Sequence, residues 1–223
     1  MALSLDFAAV TAEWPLLLTG VAWTLGLTAI STLLGLALGV LCAWGRTQGP
    51  APLRWGVASY VELVRNTPFI VQLFFVFFGL PAAGVKLTPE WASVIAMVIN
   101  LGAYAAEIVR AGLDATPKGQ IEAAQSLAMT ERQTFVHVVL PPALRKVWPA
   151  LVSQIVIVML GSAVCGQIST PELSYAANLI QSRNFRAFEA FIVATLVYLA
   201  LAIAVRQALN WAGPRFLFGG RRG

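Results

Sequence analysis

Five long apolar runs, at residues 15–44, 55–80, 89–110, 147–168 and 187–211, organise the chain. Each is long enough for an α-helix to cross a bilayer, which takes about 20 residues. The first exceeds the ~30 Å hydrocarbon core at 1.5 Å per residue, so it should tilt. Thr88-Pro89 opens the third as an N-cap followed by proline at the first helical position. The pattern predicts an all-α, integral membrane bundle of five transmembrane helices, in one transmembrane domain over residues 1–223. The connection at 111–146 is long, and that at 169–186 is shorter.

The long connection carries its own helical grammar. Thr116-Pro117 can start a helix, and residues 117–128 (PKGQIEAAQSLA) are rich in helix formers. Thr130-Glu131-Arg132-Gln133 has the spacing of a capping box for a second helix. Leu140-Pro141-Pro142 is expected to break that helix before the fourth span. Two short helices meeting near Ala128-Met129 are one reading; a solvated connector is the other.

The second run is uneven. In YVELVRNTPFIVQLFFVFFGLP, residues 60–81, the second half is uniformly apolar, but the first holds Glu62, Arg65 and Asn66-Thr67-Pro68. Each charge would cost about 2.5–3.5 kcal/mol at the centre of an isolated span. Three residues apart, Glu62 and Arg65 share a helix face and can pair; a direct substrate contact is the alternative. Pro68 removes a backbone donor, and Thr67-Pro68 reads as N-cap and N1 of a new helix. A break there would aim free N–H groups, with Asn66 and Gln72 nearby, at a cavity suited to a carboxylate. The competing reading is a kink facing lipid or the bundle. Glu107 and Arg110 repeat the three-residue spacing, as a second structural pair. Asn100, Gly102, Ala103, Ala105 and Ala106 make a patch suited to close helix packing.

Composition agrees with a lipid solvent: 58% of the residues are hydrophobic and 11% charged, with mean hydropathy +0.76. Soluble domains carry about 25% charged residues. The net charge of +5 suits cytoplasmic loops rather than nucleic acid. One set of loops holds eleven basic residues: Arg46, Arg54, Arg110, Lys118, Arg132, Arg145, Lys146, Arg206, Arg215, Arg221 and Arg222. The other holds three: Lys86, Arg183 and Arg186. That imbalance puts the N-terminus outside and the C-terminus in the cytoplasm. Asp6 and Glu13 stand where a secretory leader would be basic, so no cleaved leader is expected. Cys42 and Cys165 lie in apolar surroundings, and His137 has no Cys or His neighbour, so neither a disulfide frame nor a metal site is expected. No catalytic cluster and no G-x-x-x-x-G-K-[ST] phosphate loop is present.

Glu122-Ala123-Ala124, followed by Val138 and Leu140-Pro141, resembles the EAA loop of bacterial ABC importer permeases. Tyr60, Glu62, Arg65, Thr67-Pro68 and Gln72 are similar to the signature Y-x-E-x-x-R-x-T-P-x-x-x-Q of the polar amino acid subgroup. Tyr104, Glu107 and Arg110 resemble its Y-x-x-E-x-x-R, and Pro171-Glu172-Leu173 a further signature near the external loop. The four run in order over nearly the whole chain. The resemblance implies a non-catalytic permease subunit in the inner membrane, with a cytoplasmic coupling helix that includes Glu122, Ala123, Ala124, Ala128 and Arg132. It implies ATP-binding subunits that hold ATP and Mg, a second permease, identical or homologous, and an extracytoplasmic substrate-binding protein. The cargo would be a polar amino acid or a derivative such as an opine.

Two departures matter. Ala128 stands where the family has a glycine, at a cost of about 1 kcal/mol if its φ is positive; otherwise the turn falls at Met129. Leu160-Gly161-Ser162-Ala163 stands where the subgroup carries a Lys-Asp-Thr-Ser run, which leaves Ser162 as the polar candidate on the pathway. Such a subunit would pair with a differently charged permease or bind its cargo through backbone groups. A secondary transporter would favour membrane-buried acids and leaves the helical loop unexplained.

Overall fold

The computed structural model describes residues 5–217, which form helices and connecting turns with no strand among them. After a helical turn at Ala8–Thr11 come α1 (Trp14–Gln48), α2 (Ala51–Arg65), α3 (Phe69–Ala82), α4 (Pro89–Asp114), α5 (Lys118–Ser126), α6 (Glu131–Ile168), α7 (Leu173–Asn184) and α8 (Ala187–Ala212). The helices α1, α4, α6 and α8 are each long and apolar enough to cross a bilayer. Taken as one, the pair α2 and α3, bent by 112° at the break, passes the same test and brings the number to five. The all-α membrane bundle is therefore observed.

The central helix is α4. Its side chains from Ala92 to Leu101 pack with Leu27, Leu73 and Val158. One turn further on, Ala105, Val109 and Leu113 meet Ala43, Leu151 and Val152. On another face Ala103 and Ala106 meet Val61 and Val64 of α2. By contrast, only 17% of the apolar window of α8 is buried, against 61% for α4, so α8 is peripheral.

The face that α1 buries is made of small residues: Gly20, Thr24, Thr28, Ser31, Gly35 and Gly39. They recur every three or four positions and so form one stripe. Apolar helices gain no hydrophobic drive in lipid, so close backbone approach is what holds them together. At Gly39 a Cβ would lie 2.5 Å from that of Ala105, which leaves no room for any other residue.

Thr88 caps α4 as its spacing predicts, its hydroxyl accepting from the Trp91 N–H at 3.5 Å. Three expectations change. The second span starts at Ala51 rather than at 55, while the break expected at Thr67-Pro68 is present. At its break Thr67 is not the N-cap and Pro68 is not N1. Pro68 is itself the N-cap, extended at φ −63° and ψ 140°, and Phe69 is the first helical residue. The reason is that the Thr67 hydroxyl is committed backwards, donating to the Leu63 carbonyl at 2.8 Å.

The pair Pro141-Pro142 does not break the chain either. A π-helical turn at Thr134–Val139 precedes them, so they fall in the first turn of the α-helical segment Leu140–Gly161. There the missing N–H groups interrupt no α ladder. The second helix of the loop is thus the start of α6, and the connection from α4 to α6 is much shorter than 111–146. In the connection between α6 and α8, α7 buries Leu173, Ala176, Ala177 and Ile180, which makes it part of the core.

Candidate functional site

The break between α2 and α3 is closed by side chains. Pro68 has no N–H, so the carbonyl of Val64, four residues earlier, loses its helical donor. The side-chain amide of Gln72 replaces it, with Nε2 2.7 Å from the Val64 carbonyl and 3.0 Å from that of Thr67. Asn100 of α4 then donates from Nδ2 to Gln72 Oε1 at 3.0 Å. Asn66 turns back to the Glu62 carbonyl at 2.8 Å. Asn66, Thr67, Gln72 and Asn100 are therefore brought together, and most of their polar groups hold the break in shape. On the far side, the first bonds of α3 run from Val71 and Gln72 to the Pro68 carbonyl, at 3.0 and 3.2 Å. Asn66 and Pro68 remain exposed.

Ser162 does not join them. It is fully buried, and its hydroxyl donates to the Met159 carbonyl at 2.6 Å. A buried hydroxyl bonded to its own helix lines no open face of this chain.

Among the charged residues, Arg65 does not pair with Glu62. Its guanidinium lies 3.8 Å from Glu107 and over the ring of Tyr104, while the Glu62 carboxylate accepts from Asn66 Nδ2 at 3.3 Å. Glu107 is surrounded by cations. Arg46 from the end of α1 pairs with it directly, and Arg110 lies 2.8 Å away. Arg110 also reaches Asp114 at 2.8 Å. One carboxylate thus gathers the ends of α1, α2 and α4, and Arg46 was not foreseen as part of the cluster.

The turn after α5 falls at Ala128, whose φ of 55° is left-handed, and not at Met129. The N–H of Met129 reaches the Ala124 carbonyl at 3.2 Å and that of Ala128 reaches Gln125 at 2.9 Å. This pair of bonds is the Schellman closure, usually built on glycine. The capping box follows: Thr130 N–H donates to Gln133 Oε1 at 2.9 Å, and Gln133 N–H to the Thr130 hydroxyl at 3.3 Å. Ala124 faces inward and is buried, whereas Glu122, Ala123, Ala128 and Arg132 are exposed. At the tip, Leu127 is 77% exposed.

The capping role of one buried acid was not read from the signature that contains it. Glu172 is wholly inaccessible and caps α7, accepting from the N–H groups of Ser174 and Tyr175 at 2.9 and 2.8 Å. The hydroxyls of Ser174 and Tyr198 complete its shell. The signal was available in Glu172 standing just ahead of LSYAANLIQS, a helix-forming run.

These clusters shape a membrane bundle, stiffen one break and expose one helical turn. Residues 35–217 match the family described as binding-protein-dependent transport system inner membrane component. The chain belongs to that family. Among these permeases it is 38% identical over 186 residues to the L-cystine transport system permease protein TcyB of Bacillus subtilis, covering 83% of this chain and 80% of that one. It is 32% identical to the glutamine transport system permease protein GlnP of Escherichia coli K12, covering 92% and 94%. A solved amino acid ABC transporter "with histidines" superposes with TM-score 0.85 at 32% identity, over 96% of this chain and all of that one.

Proposed function

We propose that this chain is the permease subunit of an ATP-driven importer that carries a polar amino acid, or a close derivative, across the inner membrane. The observation that carries this is the full-length likeness to an amino acid ABC transporter, together with relatives for cystine and glutamine. The chain acts as one transmembrane domain with its N-terminus outside and its C-terminus in the cytoplasm, a sidedness supported by the basic residues of its loops.

Its partners are ATP-binding subunits that hold the ATP and Mg, a second permease and an extracytoplasmic binding protein. The exposed turn after α5 is the docking element. Leu127 is its apolar anchor, flanked by Glu122, Ala123, Ala128 and Arg132. Ala124 supports the element from inside. The translocation path runs past the break, where Asn66, Thr67 and the first N–H groups after Pro68 meet the cargo while Gln72 and Asn100 hold the geometry.

The test is reconstitution of the chain with its partner subunits in proteoliposomes, with ATP hydrolysis followed across a panel of polar amino acids and their derivatives. Stimulation by one chemical class, coupled to its uptake, is expected. ATP-independent uptake driven by an ion gradient would contradict the proposal.

A further inference from the structure

At the ends of α1, α2 and α4 lies an open cleft of 630 Å³ lined by Arg46, Thr47, Arg54, Trp55, Arg110 and Asp114. Three arginines therefore face one carboxylate in its wall. Arg46 and Arg110 are partly neutralised by Glu107 and Asp114. Arg54 opens on the same cleft and forms no ion pair among the described residues. Counting Glu107 as well, three arginines meet two carboxylates, so the site keeps a surplus of positive charge.

Trp55 stands at the rim, 75% exposed, one residue from Arg54. An exposed tryptophan at the end of a membrane helix belongs at headgroup level, its ring in the apolar boundary and its N–H in the wet layer. Arginine matches a phosphate with two parallel donors and is more weakly hydrated than lysine. A basic cleft between helix ends on the cytoplasmic side is a seat for an anionic headgroup. We propose that this cleft binds the phosphodiester of an anionic phospholipid of the inner leaflet, with Arg54 as the principal contact and Trp55 packing at the glycerol level. The inference rests on the sidedness proposed above.

The test uses the full chain assembled with its partner subunits, in nanodiscs of phosphatidylcholine with a minor fraction of phosphatidylglycerol. Native mass spectrometry then reads the lipid that stays bound. The wild-type complex is expected to retain phosphatidylglycerol over phosphatidylcholine, and Arg54→Gln to lower that retention about fivefold, the weight of one basic residue at an anionic surface. Arg54→Lys should restore part of it, and Arg183→Gln, in the opposite set of loops, should leave it unchanged. Equal retention in Arg54→Gln and wild type would overturn the proposal, as would an equal loss in Arg183→Gln. Displacement by excess inorganic phosphate would assign the cleft to a free anion and overturn it. So would retention by the isolated chain that is lost once the ATP-binding subunits are added, because the cleft would then be a protein contact. Amino-acid-stimulated ATP hydrolysis is scored separately. Its absence in the wild type counts against the importer reading, while headgroup selectivity is read independently of it.

Discussion

At Pro68 the chain turns by 112°, whereas past Pro141 and Pro142 it runs on as one helix from Glu131 to Ile168. The difference lies in what surrounds each proline. At Pro68 the freed Val64 carbonyl is taken by Gln72, whose other end is held by Asn100 on the central helix. The broken geometry is therefore satisfied. At Pro141-Pro142 the helix widens by a π turn just beforehand, and the prolines fall where no donor is needed. A proline supplies a fault, and its neighbours decide whether the fault becomes a bend.

The largest effect is expected from Gln72→Leu, which keeps the volume and removes the amide. Two partly buried carbonyls lose their donor, at about 1–3 kcal/mol for each one left unsatisfied. The thermal midpoint of the purified complex should fall, and transport should be lost. An unchanged midpoint would mean that the break holds without its staple. Pro68→Ala comes next, since it restores an N–H that competes with Gln72 for Val64. Transport should fall severalfold while membrane insertion stays normal, as read by uptake against the amount of folded complex. Leu127→Asp should weaken docking of the ATP-binding subunits and lower stimulated hydrolysis without altering the bundle. Ala124→Trp should disturb α5 itself, because Ala124 packs inward and overpacking costs about 1–3 kcal/mol. Smallest are Ala128→Gly, stabilising by about 1 kcal/mol through relief of the left-handed backbone, and Pro141→Ala, within about 1 kcal/mol of wild type. A Pro141→Ala effect as large as that of Pro68→Ala would end the contrast between the two sites.

Much of this was legible in the sequence. The apolar runs fall on the long helices and match their ends to within a few residues in most cases, because lipid demands long uninterrupted helices. The capping box at Thr130 was legible because both of its partners are local. What failed depended on which of several available partners each polar group takes. Glu62 and Arg65 have the spacing of a pair, yet Arg65 is drawn to Glu107, forty-two positions on. Thr67 has the grammar of an N-cap, but its hydroxyl turns back to Leu63, so the helix starts one residue later. Ser162 was chosen for its polarity alone, and its hydroxyl is buried and bonded to its own helix. In α7 the sequence has the length of a helix but a low overall hydropathy, so nothing in a search for spans singled it out, although Glu172 and Tyr198 tie it into the core.

On the function proposed above, the stapled break lies on the translocation path. Asn66 is exposed at that break, while Cys42 and Cys165 are buried and offer little background. In the assembled importer, Asn66→Cys should react with a water-soluble thiol reagent, and the transported amino acid should slow that reaction. Phe75→Cys, on an exposed apolar position of α3, should show no such protection. An Asn66→Cys that is unreactive, or reacts at the same rate with and without the cargo in a transport-competent complex, would contradict the claim and leave the break a structural bend.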